Sequence, residues 1–131
     1  MYITRHEQPR VKKVLDNGLV AILYGARQVG KTTLAKEVGK GYANPLYLNC
    51  DDPNVVISLT NKSAVELKSY IGNADLVVID EGQRVENIGI TIKLLHDTYP
   101  NVGLLVTGSS SLDLANKITE PLTGRSEEVI L

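Results

Sequence analysis

The sequence predicts an α/β fold in which a parallel sheet is covered by helices on both faces. Apolar runs of strand length alternate along the chain with helical segments, an order that builds parallel sheets. These runs are continuously apolar, as expected for strands covered on both faces. The first run is joined to the next helical segment by a glycine-rich turn, GARQVGKTT, a connection typical of such sheets.

Strands are predicted at 19–24, 46–49, 76–79 and 102–108, and a fifth begins in the closing segment EEVIL. The first strand follows a short helix and a turn at Asn17 and Gly18. Since a sheet protein rarely stops inside a hydrophobic strand, we interpret the chain as one piece of a longer polypeptide.

Helices are predicted at 31–38, 63–71 and 112–118, and another is indicated by an apolar stripe before Pro100. The first of them is ended by Gly39 and Gly41, and the second opens on the capping-box pair Ser63 and Glu66. The stripe has helical spacing and consists of Ile88, Ile92, Leu95 and Tyr99.

The composition is that of one soluble globular domain. The chain has 131 residues, 43% of them hydrophobic and 22% charged, and its formal net charge of −1 gives no general attraction to nucleic acid or anionic lipid. The single cysteine, Cys50, excludes an internal disulfide and favours a reducing compartment. Without a signal-peptide pattern or an apolar run long enough to cross a bilayer, we expect a cytoplasmic protein.

The glycine-rich turn matches the phosphate-binding pattern G-x-x-x-x-G-K-[ST] at every fixed position, between a buried strand and a helix. Gly25 and Gly30 allow the backbone to fold closely around an anion, and the following helix directs its positive end to the same place. The loop residues Gln28 and Val29 are predicted to line the nucleotide site.

Three residues at the start of that helix are predicted to contact the nucleotide. Lys31 should reach the β- and γ-phosphates, and the Thr32 hydroxyl should coordinate Mg²⁺. Thr33 is placed near the α-phosphate.

An acidic pair follows the third strand in LVVIDEGQ and indicates what becomes of the phosphate. Asp80 is predicted to hold Mg²⁺, and Glu81 to orient or deprotonate an attacking water. The alternative is that the pair caps the next turn. The guanine motif N-K-x-D is missing and the arginines are few and scattered, so ATP hydrolysis is favoured over a GTPase or a small-molecule kinase.

A third polar group follows the fourth strand in LLVTGSSS. Ser109 is the first choice for a residue that senses the γ-phosphate, and Thr107 is the second. The serines could equally cap the next helix.

Several linked motifs resemble the AAA-like predicted ATPases of bacteria and archaea, whose signature reads GPRQVGKTTL. They are GARQVGKTTL, YLNCDDP, VVIDEGQRVENIG, LLVTGSSSLDLANK and EPLTGR, and the resemblance as a whole runs from about Arg5 to Arg125. Ala26 stands where the family has Pro, and Gly82 where it has Ala, which predicts a looser turn after Glu81. Gln83 matches the family, and its nearness to Glu81 makes it a candidate partner of that carboxylate.

The resemblance implies a P-loop ATPase sheet with strand order 5-1-4-3-2. It also implies that residues 1–131 are the ATPase core at the N-terminal end of a longer protein with a further C-terminal domain. In hexameric AAA+ ATPases, an arginine at the position of Arg125 enters the neighbouring subunit's site, which predicts a homo-oligomer; a solvent-facing arginine is the alternative.

Three functions remain open at this point. The first is Mg²⁺-dependent ATP hydrolysis that drives a conformational change in a larger protein. The second is an interaction module that binds ATP with little hydrolysis. The third is a nucleic-acid-remodelling ATPase, for which the sequence offers no base-reading motif.

Overall fold

The computed structural model describes residues 7–25, 30–109 and 121–130. Within these ranges the strands are β1 (Val20–Tyr24), β2 (Pro45–Asn49), β3 (Leu76–Asp80), β4 (Gly103–Gly108) and β5 (Ser126–Ile130). The α-helices are α1 (Glu7–Asp16), α2 (Lys31–Gly39), α3 (Pro53–Leu59), α4 (Ala64–Ile71) and α5 (Ile88–Thr98), and a short 3₁₀ helix covers Gly82–Arg84.

The five strands form one parallel sheet in the order β2-β3-β4-β1-β5. Read from the other side, this is the expected order 5-1-4-3-2, so the predicted fold class is confirmed. Because every strand runs in the same direction, the segments that follow β1, β3 and β4 meet at one edge, which we call the carboxyl edge. The opposite edge is called the amino edge.

Two apolar clusters cover the two faces of the sheet. On one face α1 and α2 pack on Leu23 and Leu105, and on the other α4 and α5 pack on Ile22 and Val106. The strand β1 is buried at all five positions, which explains its unbroken apolar run. The sheet therefore forms the middle of three layers.

The predicted signals of α4 and α5 are present in the structure. Ser63 Oγ accepts a hydrogen bond from the Glu66 amide at 3.1 Å, and a Glu66 carboxylate oxygen accepts one from the Ser63 amide at 2.9 Å. The fully buried stripe of α5 contains Ile88, Ile92 and Leu95. Tyr99 follows the helix, and its hydroxyl donates to the carbonyl of Ala64, which ties α5 to α4.

One helix was not predicted. The segment α3 begins after Asp52, whose side chain accepts from the Asn54 amide at 2.9 Å, and Pro53 occupies the first turn. Both are ordinary helix-start signals. The helix predicted at 112–118 lies outside the described residues.

None of the helices in the described ranges is long and apolar enough to cross a membrane.

Candidate functional site

Two described glycines flank the loop that matches the phosphate-binding pattern, at the carboxyl edge. Gly25 follows β1, and its amide donates to the carbonyl of Gly108 at 3.2 Å. Gly30 immediately precedes α2 with φ 83° and ψ 27°, a left-handed conformation that glycine adopts without steric cost. Gln28 and Val29, the loop residues predicted to line the site, lie outside the described residues.

Lys31 is the first residue of α2, and its side chain is only 3% exposed. Its Nζ has no hydrogen-bond acceptor among the described parts of the chain and lies 3.5 Å from Glu81 Oε2. A buried ammonium group is costly unless it is fully paired, and here it adds to the positive end of a helix. The arrangement leaves a buried positive charge that an anion would satisfy.

Thr32 and Asp80 meet beside Lys31. The Thr32 hydroxyl donates to Asp80 Oδ2 at 3.1 Å, and Thr107 Oγ1 donates to Asp80 Oδ1. Thr33 follows on the exposed side of the same helical turn.

A hydroxyl and a carboxylate are oxygen donors of the kind that Mg²⁺ prefers. No group of three or more His, Cys, Asp or Glu side chains forms a ready-made metal cage in the described ranges. Mg²⁺ is commonly held by one or two carboxylates together with substrate phosphates, so Thr32 and Asp80 fit that kind of site.

Glu81 is buried beside this pair and has an unusual backbone conformation. Its φ of 58° and ψ of 46° are left-handed, which is uncommon for a residue with a side chain and is often found at functional sites. Its amide donates to Thr107 Oγ1 at 3.2 Å. Its Oε1 accepts from Gln83 Nε2 at 2.7 Å and from Ser109 Oγ at 3.0 Å.

Gly82 packs the turn after Glu81 tightly against the sheet. A Cβ atom at this position would lie 2.8 Å from Val106 Cγ1, closer than real Cβ atoms approach. The missing side chain allows the turn to lie close against β4. The looser turn expected after Glu81 stays a prediction.

The structure adds two contacts that the sequence did not reveal. Arg84 Nε lies 2.6 Å from Asp51 Oδ1, which ties the end of the 3₁₀ helix to the segment after β2. Thr107, the second choice for phosphate sensing, bridges the Asp80 carboxylate and the Glu81 amide. Both contacts join residues that are distant in sequence, so no local sequence pattern predicts them.

Cys50 follows β2 near this site but takes no visible part in it. Its side chain is buried, and its amide donates to the carbonyl of Asp80 at 2.9 Å. Burial, reinforced by nearby carboxylates led by Asp80, raises the pKa of its thiol to about 12. It remains a protonated core side chain.

Arg125 lies at the amino edge, away from the other predicted site residues. Its carbonyl accepts from the Val20 amide at the start of β1, so the length of β1, roughly 16 Å, separates it from the loop. Its side chain pairs with Asp97 through Nε–Oδ1 at 2.9 Å and Nη2–Oδ2 at 3.1 Å. The hydrogen bond from Arg125 lowers the pKa of Asp97.

A parallel five-stranded sheet with a lysine at the start of the helix after β1 and an acidic pair at the end of β3 defines the class of P-loop ATPase domains. The AAA domain family matches residues 17–131, and the chain belongs to this family. Proteins of this class bind and hydrolyse nucleotides.

Two curated mycobacterial proteins are similar to this chain in sequence. The chain is 32% identical over 128 residues to Uncharacterized protein Rv2008c of Mycobacterium tuberculosis and to Uncharacterized protein Mb2031c of Mycobacterium bovis. These matches cover 97% of this chain and only 28% of each curated relative.

Solved structures share the fold. The Walker-type ATPase PABY2304 of Pyrococcus abyssi matches with a TM-score of 0.72 at 18% identity, over 99% of this chain and 53% of that one. A DNA replication initiation factor matches with a TM-score of 0.64 at 17% identity, over 99% and 47% of the two chains. At these identities the likeness concerns the fold alone.

Proposed function

We propose that this domain binds ATP with Mg²⁺ at the carboxyl edge and hydrolyses the bond between the β- and γ-phosphates. The observation that carries the proposal is the Lys31 ammonium, which is buried, lacks a hydrogen-bond acceptor in the described ranges and lies at a helix start. An oxygen-rich anion such as a polyphosphate would satisfy it.

In this proposal each side chain has one task. Lys31 binds the β- and γ-phosphate oxygens, and the backbone at Gly30 and the start of α2 contacts the phosphates. Mg²⁺, bound through Thr32 and Asp80, would neutralise negative charge on the β- and γ-phosphates. Ser109, which follows β4, lies beside the γ-phosphate, and its hydroxyl donates to Glu81.

Glu81 acts as the general base. A carboxylate oxygen of Glu81 accepts a proton from the attacking water, the water oxygen bonds to the γ-phosphorus, and the bond from that phosphorus to the bridging oxygen breaks. Burial keeps bulk water away from this carboxylate and fixes its position. The products are ADP and inorganic phosphate.

The test is the rate of phosphate release by Glu81→Gln, with Glu86→Gln, an exposed glutamate in the same segment, as the matched control. Losing the base should lower kcat by about 10²- to 10⁴-fold while ATP binding persists. Glu86→Gln should match the wild type. Turnover by Glu81→Gln at the wild-type rate would refute the proposed base.

A second candidate is a nucleotide-gated interaction module that binds ATP and scarcely cleaves it. The position of Arg125 favours this candidate. The arginine pairs with Asp97 far from the chain's own loop, so it could reach only the nucleotide site of another subunit. A single subunit would then lack an arginine at its own site. Phosphate release measured against protein concentration separates the two: an enzyme that needs a neighbour's arginine speeds up per subunit as it assembles, and a binding module does not.

In the hydrolysis proposal, nucleotide turnover drives a conformational change in a larger protein. Residues 1–131 form the ATPase core of that protein. The 28% coverage of the mycobacterial relatives supports this view.

A further inference from the structure

We infer that Gln83 is a positioning residue for Glu81, an inference that rests on the hydrolysis proposed above. Gln83 Nε2 lies 2.7 Å from Glu81 Oε1 and 3.3 Å from Ser109 Oγ. Ser109 Oγ lies 3.0 Å from the same Oε1. The three side chains form a closed triangle of hydrogen bonds, which we call the carboxylate clamp.

The clamp is consistent in its donors and acceptors. The Gln83 amide nitrogen has two hydrogens and can donate to both neighbours at once. The Ser109 hydroxyl accepts one of these and donates its own hydrogen to Glu81. Because the members of such a network support one another, losing one donor loosens the carboxylate.

The clamp assigns different tasks to the two oxygens of Glu81. Oε1 receives the hydrogen bonds of Gln83 and Ser109, and Oε2 faces the Lys31 ammonium at 3.5 Å. When phosphate binds to Lys31, the ammonium is shared with the new anion. Oε2 is then the oxygen that takes the proton from water, while Oε1 keeps the carboxylate in place.

The clamp is needed because a fixed backbone does not by itself orient a glutamate side chain. The turn is held by the Arg84–Asp51 ion pair and by the close packing of Gly82 on Val106. Several rotatable side-chain bonds lie between the Glu81 backbone and its carboxylate, so a fixed backbone leaves the carboxylate free to turn. A general base displaced by about 1 Å can lose up to roughly 10²-fold in rate, so fixing these torsions affects turnover directly.

The test replaces Gln83 by methionine, which keeps the side-chain length and removes the amide donors. We expect kcat for ATP hydrolysis to fall about 10- to 100-fold, part of what a well-placed base contributes. Because the clamp acts on the base and not on the phosphates, KM and the affinity for a non-hydrolysable ATP analogue should stay close to wild type. Gln8→Met, the same replacement on α1, is the matched control and should leave both constants unchanged.

Parallel measurements on Glu81→Gln separate failure of the inference from failure of the proposed function. Wild-type turnover by Gln83→Met beside an inactive Glu81→Gln would overturn the positioning role alone. Wild-type turnover by Glu81→Gln, or no hydrolysis by the wild-type protein, would overturn the proposed function and the inference with it. Adding Gln83→Met to Glu81→Gln should cause no further loss, and a full additive loss would also contradict the inference.

Discussion

Two ion pairs at opposite edges of the sheet differ in character, Lys31–Glu81 at the carboxyl edge and Arg125–Asp97 at the amino edge. At the carboxyl edge the side chains of Lys31 and Glu81 are 3% and 8% exposed, and their charged atoms are 3.5 Å apart. At the amino edge the side chains of Arg125 and Asp97 are 33% and 42% exposed, and hydrogen bonds of 2.9 to 3.2 Å join them. The better geometry belongs to the exposed pair.

This difference in burial and geometry indicates whether each ion pair contributes to stability or to ligand binding. An exposed ion pair adds little to stability even with good geometry, because water screens it. A buried pair costs desolvation energy that only excellent geometry recovers, and the Lys31–Glu81 pair lacks it. The carboxyl edge thus carries charges that the fold alone does not require, which is expected of a ligand-binding site.

The largest expected effect on stability comes from removing one charge of the buried Lys31–Glu81 pair and leaving the other. Lys31→Met leaves a buried carboxylate without its cation and should lower the free energy of unfolding by about 3 kcal/mol, the low end for a broken buried pair. The double variant Lys31→Met/Glu81→Gln removes both charges and should be more stable than either single variant. Urea unfolding without nucleotide measures all three.

The exposed pair supplies the control for this experiment. Arg125→Gln/Asp97→Asn should leave the unfolding midpoint close to wild type. A Lys31→Met/Glu81→Gln protein less stable than both of its single variants would mean that the buried pair is a structural element, contrary to the comparison.

A smaller effect is expected in the titration of Asp97. Its pKa is lowered from the ordinary value of 3.8, mainly by the hydrogen bond from Arg125. A carboxyl whose folded pKa is lowered stabilises the fold above its ordinary pKa, and this contribution disappears as the pH falls through the folded pKa. Carboxyl NMR titration should show the Asp97 pKa rising toward 3.8 in Arg125→Gln. An unchanged pKa would contradict the observed pairing.

Much of the fold could be predicted because its signals are local. The continuous apolar runs indicate buried parallel strands, and Ser63 with Glu66 marks the start of α4. The segment α3 was missed even though Asp52 and Pro53 carry its start signal, because its exposed residues show no clear apolar stripe.

Only those residues of the candidate site that belong to a motif of fixed spacing could be predicted from the sequence. The loop pattern predicts Lys31 and Thr32, and the end of β3 predicts Asp80 and Glu81. The contacts of Thr107 and Ser109 depend on how β4 pairs with β3, across 26 to 28 residues of sequence, and the periodicity does not specify that register. The same holds for the ion pair between Arg84 and Asp51.

The most direct test of the central claim is calorimetric titration of Mg²⁺ and a non-hydrolysable ATP analogue into the wild type, Lys31→Met and Lys40→Met. Lys40 is an exposed lysine that follows α2, so its replacement is a matched control. If the buried Lys31 charge exists for phosphate, Lys31→Met should bind about 10- to 100-fold more weakly, the worth of one charged hydrogen bond. Lys40→Met should bind like the wild type. Equal affinity of Lys31→Met and wild type, or no binding by the wild type, would contradict the account.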